Sequence, residues 1–171
     1  PFDVLIEDGH YALTRRVEPT PLPPVFAEST GLGTIPTAGR LSTSEFMSPA
    51  YALVKASYYD GTLPAGARPE YSVTTAHLVT PETQSSTHYF IHHGWNFGRG
   101  DERVERIQHE QLFAAFREDV EGLTRVQQSL EAYDEDPRFH EISVASDAAA
   151  VAMRRHLKQR SDAEHAAAAS G

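Results

Sequence analysis

The stretch FREDVEGLTRVQQ, Phe116 to Gln128, constrains the fold most, because it carries an acid where an apolar residue belongs. Leu112, Phe116, Leu123, Val126 and Leu130 share one phase, stepping by four and three once Asp119 is counted, which is the core-facing stripe of an amphipathic helix. Arg117, Glu118, Glu121 and Arg125 lie off the stripe, and Glu121 precedes Arg125 by four, the favourable order for an exposed pair. A carboxylate aimed at a core is costly unless it is paired, hydrogen-bonded or bound to a metal. Asp119 therefore reads either as a structural acid, satisfied by an arginine, by backbone amides or by solvent, or as a metal ligand. Gly122 favours the second reading, since glycine inside a helix costs about 1 kcal/mol relative to alanine and often marks a close approach.

Strands precede this helix. Phe2 to Ile6 and His10 to Val17 flank Asp8-Gly9, a pair suited to a two-residue hairpin turn. Pro19, Pro21, Pro23 and Pro24 then impose an extended surface segment. From Ala27 to Glu45 the chain is Gly, Thr, Ser and Pro with few apolar anchors, which predicts a long loop, either a lid or a disordered segment. Ala50 to Tyr59, Tyr71 to Val79 and Thr87 to Phe97 read as strands, the last two joined by a turn at Thr80-Pro81-Glu82-Thr83. Counting back from that turn sets His77 near Ser86 and Thr75 near His88, so that His77, His88, Phe90 and His92 share one face. His88, His92 and His93 do not make a convincing zinc site, because residues four apart on a strand are separated by about 13 Å. Asp101 opens a helix through Tyr133, Asp136-Pro137 breaks it, and Ser146-Asp147 starts a shorter helix with a fraying EHAAAASG tail. Strands followed by one long helix define an α+β domain, a curved antiparallel sheet wrapped on a long helix, with a cavity between them that suits an apolar ligand.

A formal charge of -9 argues against nucleic acid or an anionic membrane surface as partner, and with no cysteine the chain can supply neither a disulfide nor a thiolate-held cluster. No apolar run reaches the length of a membrane span and no signal peptide opens the chain, so a cytoplasmic protein is expected. It begins at Pro1 in what already reads as a strand, which suggests a piece of a longer protein.

TAHLVTPETQSSTHYF, THYFIHHGWNFG, FREDVEGLTRVQQ and SVASDAAAVAMRR, in this order from about Pro1 to Gln159, resemble the carboxy-terminal catalytic domain of Rieske non-haem iron aromatic-ring oxygenases. The branch most similar is the vanillate O-demethylase type. The resemblance implies a helix-grip fold over residues 1–160 followed by a flexible tail over residues 161–171. It also implies a mononuclear Fe(II) held by two histidines and a carboxylate, and a 2Fe–2S Rieske cluster in a preceding domain. Asp119 matches the family's carboxylate position, so helical phase and resemblance meet on one residue. The family's upstream histidine helix and its cysteine and histidine cluster pairs have no counterpart here.

The resemblance further implies an aromatic substrate, O2, a reductase or ferredoxin donor and a homotrimeric parent. The reading for this chain is the catalytic portion of a monooxygenase, O-demethylase or ring hydroxylase, inactive as an isolated fragment. Asp119 is its metal ligand, and His77, His88 and Phe90 are its candidate pocket residues. The rival reading is a non-catalytic helix-grip module that binds an apolar small molecule, with Asp119 as a structural acid.

Overall fold

The computed structural model describes residues 2–7, 9–133 and 142–169. Six strands form one antiparallel sheet in sequence order: β1 (Phe2–Glu7), β2 (His10–Val17), β3 (Ala38–Ser48), β4 (Tyr51–Asp60), β5 (Tyr71–Pro81) and β6 (Thr87–Trp95). The helices are α1 (Pro24–Thr30), α2 (Glu102–Tyr133) and α3 (Ala148–Ala169). This α+β arrangement of an open, curved sheet and a long helix is the expected helix-grip architecture.

The first hairpin closes as expected, with Glu7 opposite His10 and Gly9 at a φ of 75°, while Asp8 lies outside the described residues. The break expected at Asp136-Pro137 also lies outside them. At the other end, α3 continues to Ala169, past the basic turn at Arg160 where its end was expected.

The long loop expected over Ala27 to Glu45 is instead the end of α1, a 3-10 turn at Leu32–Thr34 and most of β3. β3 is a central strand, paired with β2 from Val17↔Arg40 to Tyr11↔Phe46 and with β4 from Ala38↔Asp60 onward. Small polar residues hide it from pattern reading, because their backbone groups satisfy both ladders without supplying an apolar alternation. A strand hydrogen-bonded on both sides cannot act as a lid.

The registers place side chains in rows across the sheet, since directly paired residues point to the same side. One row is Tyr11, Phe46, Ala52, His77 and Ile91, and the next is Leu13, Ser44, Val54, Thr75 and His93. Both rows lie on the inner face, which the helices cover. The packed core occupies one end of that face, where Ala56, Tyr58, Val73 and Phe97 meet Leu32 and Val104, and Phe26 of α1 stacks on Tyr58 at 4.2 Å. Burying side chains of this size stabilises the fold by about 1.5–3 kcal/mol each.

A chain of hydrogen bonds crosses this layer. Thr75 Oγ1 lies 2.8 Å from His93 Nδ1, His93 Nε2 lies 3.3 Å from Gln108 Oε1, Gln108 donates to Ser29 Oγ at 2.8 Å, and Ser29 donates to the Val25 carbonyl at 2.6 Å. Gln108 is 1% exposed. Its carbonyl must accept, so His93 carries its proton on Nε2 and receives the Thr75 hydroxyl proton on Nδ1.

α2 begins where the Asp101 carboxylate accepts the Arg103 and Val104 amides at 2.9 and 3.3 Å, with Glu102 and Glu105 in the first turn to match the helix dipole. Only Val104, Ile107 and Gln108 of its 32 residues are buried. The stripe of Leu123, Val126 and Leu130 therefore does not enter a packed core: all three side chains are exposed, and of them Leu123 lines a cavity wall. Gly122 meets nothing within 4 Å, so no close approach explains it.

On the outer face Tyr59 is enclosed by its neighbours: the Arg68 guanidinium lies 3.4 Å over its ring, Arg16 donates to its hydroxyl at 2.8 Å, and the hydroxyl donates to Glu18 at 3.0 Å. Gly39, its cross-strand partner, leaves the ring its space, since a Cβ there would sit 2.5 Å from Tyr59 Cε2. Gly39→Ala is expected to cost about 1–3 kcal/mol of stability, as overpacking does. Gly122→Ala is expected to add about 1 kcal/mol from helix propensity. Urea unfolding midpoints that move the other way would refute these accounts.

Candidate functional site

The site lies on the inner face beyond the packed core, where α2 stands off β4, β5 and β6. A cavity of about 830 Å³ opens there, lined by His77, Val79 and Tyr89 from the sheet and by Val120, Leu123 and Gln127 from the helix, among others. Phe116 of α2 meets the sheet beside this cavity, with ring centroids 5.8 Å from His77 and 6.2 Å from Tyr89, both edge-on.

Asp119 follows Phe116 by three residues and is exposed. Its carboxylate lies within electrostatic reach of His77 and Tyr89, and among the described residues no Lys or Arg forms an ion pair with it. His77 Nδ1 and the Tyr89 hydroxyl are 2.5 Å apart and their rings stack at 5.9 Å. Burial holds the His77 imidazole below its ordinary value, opposed by the Asp119 carboxylate. Burial first, and then Asp119, pushes the Tyr89 hydroxyl upward. Tyr89 therefore stays protonated, and in the tautomer in which it donates to Nδ1 the His77 Nε2–H is left to meet a ligand oxygen.

The structure brings Asp119 and His77 together but not His88 and Phe90. Pro81 pairs with Thr87, Val79 with Tyr89, and His77 with Ile91, because the β5–β6 connection is the five-residue loop 82–86 rather than a turn at 80–83. The register thus differs from expectation by five residues, and an odd shift moves every side chain of β6 to the opposite face. His88, Phe90 and His92 point outward. His88 lies 3.6 Å from Glu82 and near the Phe90 ring, which is 60% exposed. Tyr89 and His93 hold the inward positions expected of their neighbours.

Sequence reasoning also missed Gln108. Val104, Ile107 and Gln108 continue one helical face, so the phase argument that singles out Asp119 would have singled out Gln108 three turns earlier. For β6, the large side chains of Tyr89, Ile91 and Trp95 against Gly94 on the other parity carried the signal.

Together these features define the class of protein: an α+β helix-grip domain with a ligand-sized cavity lined in part by an imidazole and a phenol, with an exposed carboxylate within electrostatic reach of both. The chain belongs to the family of vanillate O-demethylase oxygenase C-terminal domains, which it matches over residues 1–163, the C-terminal domain of a Rieske-type oxygenase. Its fold is shared with dicamba monooxygenase. The apo crystal structure superposes with a TM-score of 0.78 at 21% identity, covering 96% of this chain and 50% of that one. The form bound to 3,6 dichlorosalicylic acid gives 0.84 at 20% identity, covering 97% and 48%. The form with non-heme iron and dicamba gives 0.73 at 21% identity, covering 96% and 50%. The chain thus spans about half the length of these solved chains. A comparison with curated proteins returned no match. No described helix is long and apolar enough to cross a membrane.

Burial is the main cause that lowers the His93 imidazole from its ordinary 6.5; the Gln108 hydrogen bond raises it and the His92 charge lowers it. The unfolded chain then binds a proton that the folded chain resists. The stability contributed by neutral His93 is complete above 6.5 and is lost as pH falls through 6.5 toward the lower folded value. His93→Gln is expected to flatten the fall in urea midpoint between pH 7.5 and 5.5, by at most about 1.4 kcal/mol per pH unit. An unchanged slope would show that His93 does not carry this dependence.

Proposed function

We propose that this chain is the part of a Rieske-type oxygenase that holds the carboxylate ligand of a mononuclear Fe(II) and the pocket for an aromatic substrate. The observation that supports it is Asp119: an acid in the family's carboxylate position, within electrostatic reach of the cavity residues His77 and Tyr89, without a basic partner among the described residues. Carboxylate and imidazole are the donors that non-haem iron takes, yet among the described residues no three such side chains converge on one point. Asp119 is accordingly one ligand of a set that the described part of this chain does not complete.

Iron bound there would supply dioxygen activation, with electrons from a 2Fe–2S cluster and a reductase or ferredoxin elsewhere in a trimeric parent. The described residues do the rest. His77 Nε2–H is oriented by Tyr89 to hold an oxygen of an aromatic acid or ether, and Val79, Val120 and Leu123 exclude water from the ring. Demethylation and hydroxylation differ here only in which substrate carbon faces the metal.

After anaerobic incubation with Fe(II) and desalting, the chain is expected to keep well under one iron per molecule, because most of the coordination free energy is missing. Before desalting, Fe(II) should broaden the NMR signals of the His77 ring, and Asp119→Ala should abolish the effect. Stoichiometric iron, or broadening that survives Asp119→Ala, would overturn the ligand assignment.

A second outcome follows from the electrostatics. Asp119→Asn removes the carboxylate that opposes burial, so the His77 imidazole should titrate lower still. A rise, followed by NMR against pH, would mean that Asp119 does not face His77.

A further inference from the structure

A second apolar cavity, of about 280 Å³, lies beneath α3 on the same inner face. Leu13, Phe46, Ala52, Val54, Ala150 and Met153 are among its apolar lining, and Phe46 and Tyr11 meet edge to face in its wall, at 6.1 Å between centroids. Ala52 and Val54 also line the cavity that holds His77 and Tyr89, so the two cavities abut over these two residues.

The contact point is small for a structural reason. Ala52 sits in the row between His77 and Phe46, and its methyl group leaves the row open where a larger side chain would stand as a partition. Neighbouring strands are about 4.8 Å apart, so a molecule whose polar end meets His77 reaches Phe46 after about 10 Å. An apolar cavity of about 150 Å³ holds a benzene molecule, so the chamber under α3 has room for one ring.

We infer that the substrate of this site is an aromatic molecule longer than one ring, whose polar end lies at His77 and whose second apolar group crosses Ala52 into the chamber beneath α3. The inference rests on the reading of the His77 cavity as the substrate pocket and adds the length and shape of what it takes. α3 then acts in specificity: Ala150 and Met153 limit the substituent, and Ala52 admits it. Of these positions only Ala52 belongs to the His77 cavity as well, so the chamber can be changed from the α3 side alone.

The test compares benzoate with biphenyl-4-carboxylate by titration calorimetry on the 171-residue chain, since the two probes differ only in the second ring. Biphenyl-4-carboxylate should bind at least about tenfold more tightly, as expected for burial of one further ring. Ala150→Phe, which fills the chamber from α3, should remove that advantage and leave benzoate affinity unchanged. Met153→Ala, which enlarges the chamber, should keep the advantage and so guards against misfolding of the first variant. Equal affinities for the two probes, or an advantage that survives Ala150→Phe, would overturn the chamber while leaving the His77 pocket standing. No binding of either probe would instead overturn the pocket reading itself.

Discussion

The hydrogen bonds through Gln108 are the constraint on which the rest of the arrangement depends. A glutamine almost fully removed from water must have both ends of its amide satisfied, or each orphaned group costs about 1–3 kcal/mol. His93 and Ser29 satisfy them only while α1, α2 and β6 hold one mutual position. Apolar packing at Phe97 and Val104 tolerates small slides, but a directional chain that runs from Thr75 to the Val25 carbonyl does not. α2 is thereby set at one height and one rotation over the sheet. Rotation matters most, because it decides that residue 119, and not 118 or 121, looks toward His77.

Once the helix is held at that end, the cavity follows from lengths. α2 has 32 residues and the packed core accounts for its first turns only. Past Phe116 its apolar side chains have no packed partner in the sheet, where His77, Tyr89 and small residues such as Ala52 leave a floor rather than a filled layer. The polar groups of the site sit where packed core gives way to cavity. There burial is partial, which shifts the His77 and Tyr89 protons while leaving both within reach of a ligand.

Much of this was legible beforehand. Asp119 stood out from helical phase alone, and the element order implied a sheet wrapped on one helix. Two failures have distinct causes. β3 is built from Arg40, Ser42, Thr43 and Ser44, whose contribution is backbone pairing on both edges, and backbone pairing leaves no trace in hydropathy. The face of β6 was inverted because Pro81 suggested a tight turn where the chain makes a five-residue loop instead, held by Thr83 and Ser86 hydrogen bonds. Strand parity magnifies such an error: with a period of two, an odd miscount exchanges inside and outside for the whole strand. His77 lies on β5, where alternation along its own strand sets its face, while His88 and Phe90, on β6 beyond the turn, inherited the miscount.

The contact of Phe116 with His77 and Tyr89 makes that residue a fulcrum. From Phe116 to Tyr133 the helix extends about 25 Å, at 1.5 Å per residue, whereas Asp119 lies only about 4.5 Å from the same point. With the Gln108 end held, a bend of about 5° at Phe116 would carry the far end through roughly 2 Å and move Asp119 by roughly 0.4 Å. Such a bend would change the wall formed by Leu123, Gln127 and Glu131 far more than the distance from the carboxylate to the imidazole. Tolerance of shape and precision of chemistry are divided along a single helix, on either side of one aromatic ring.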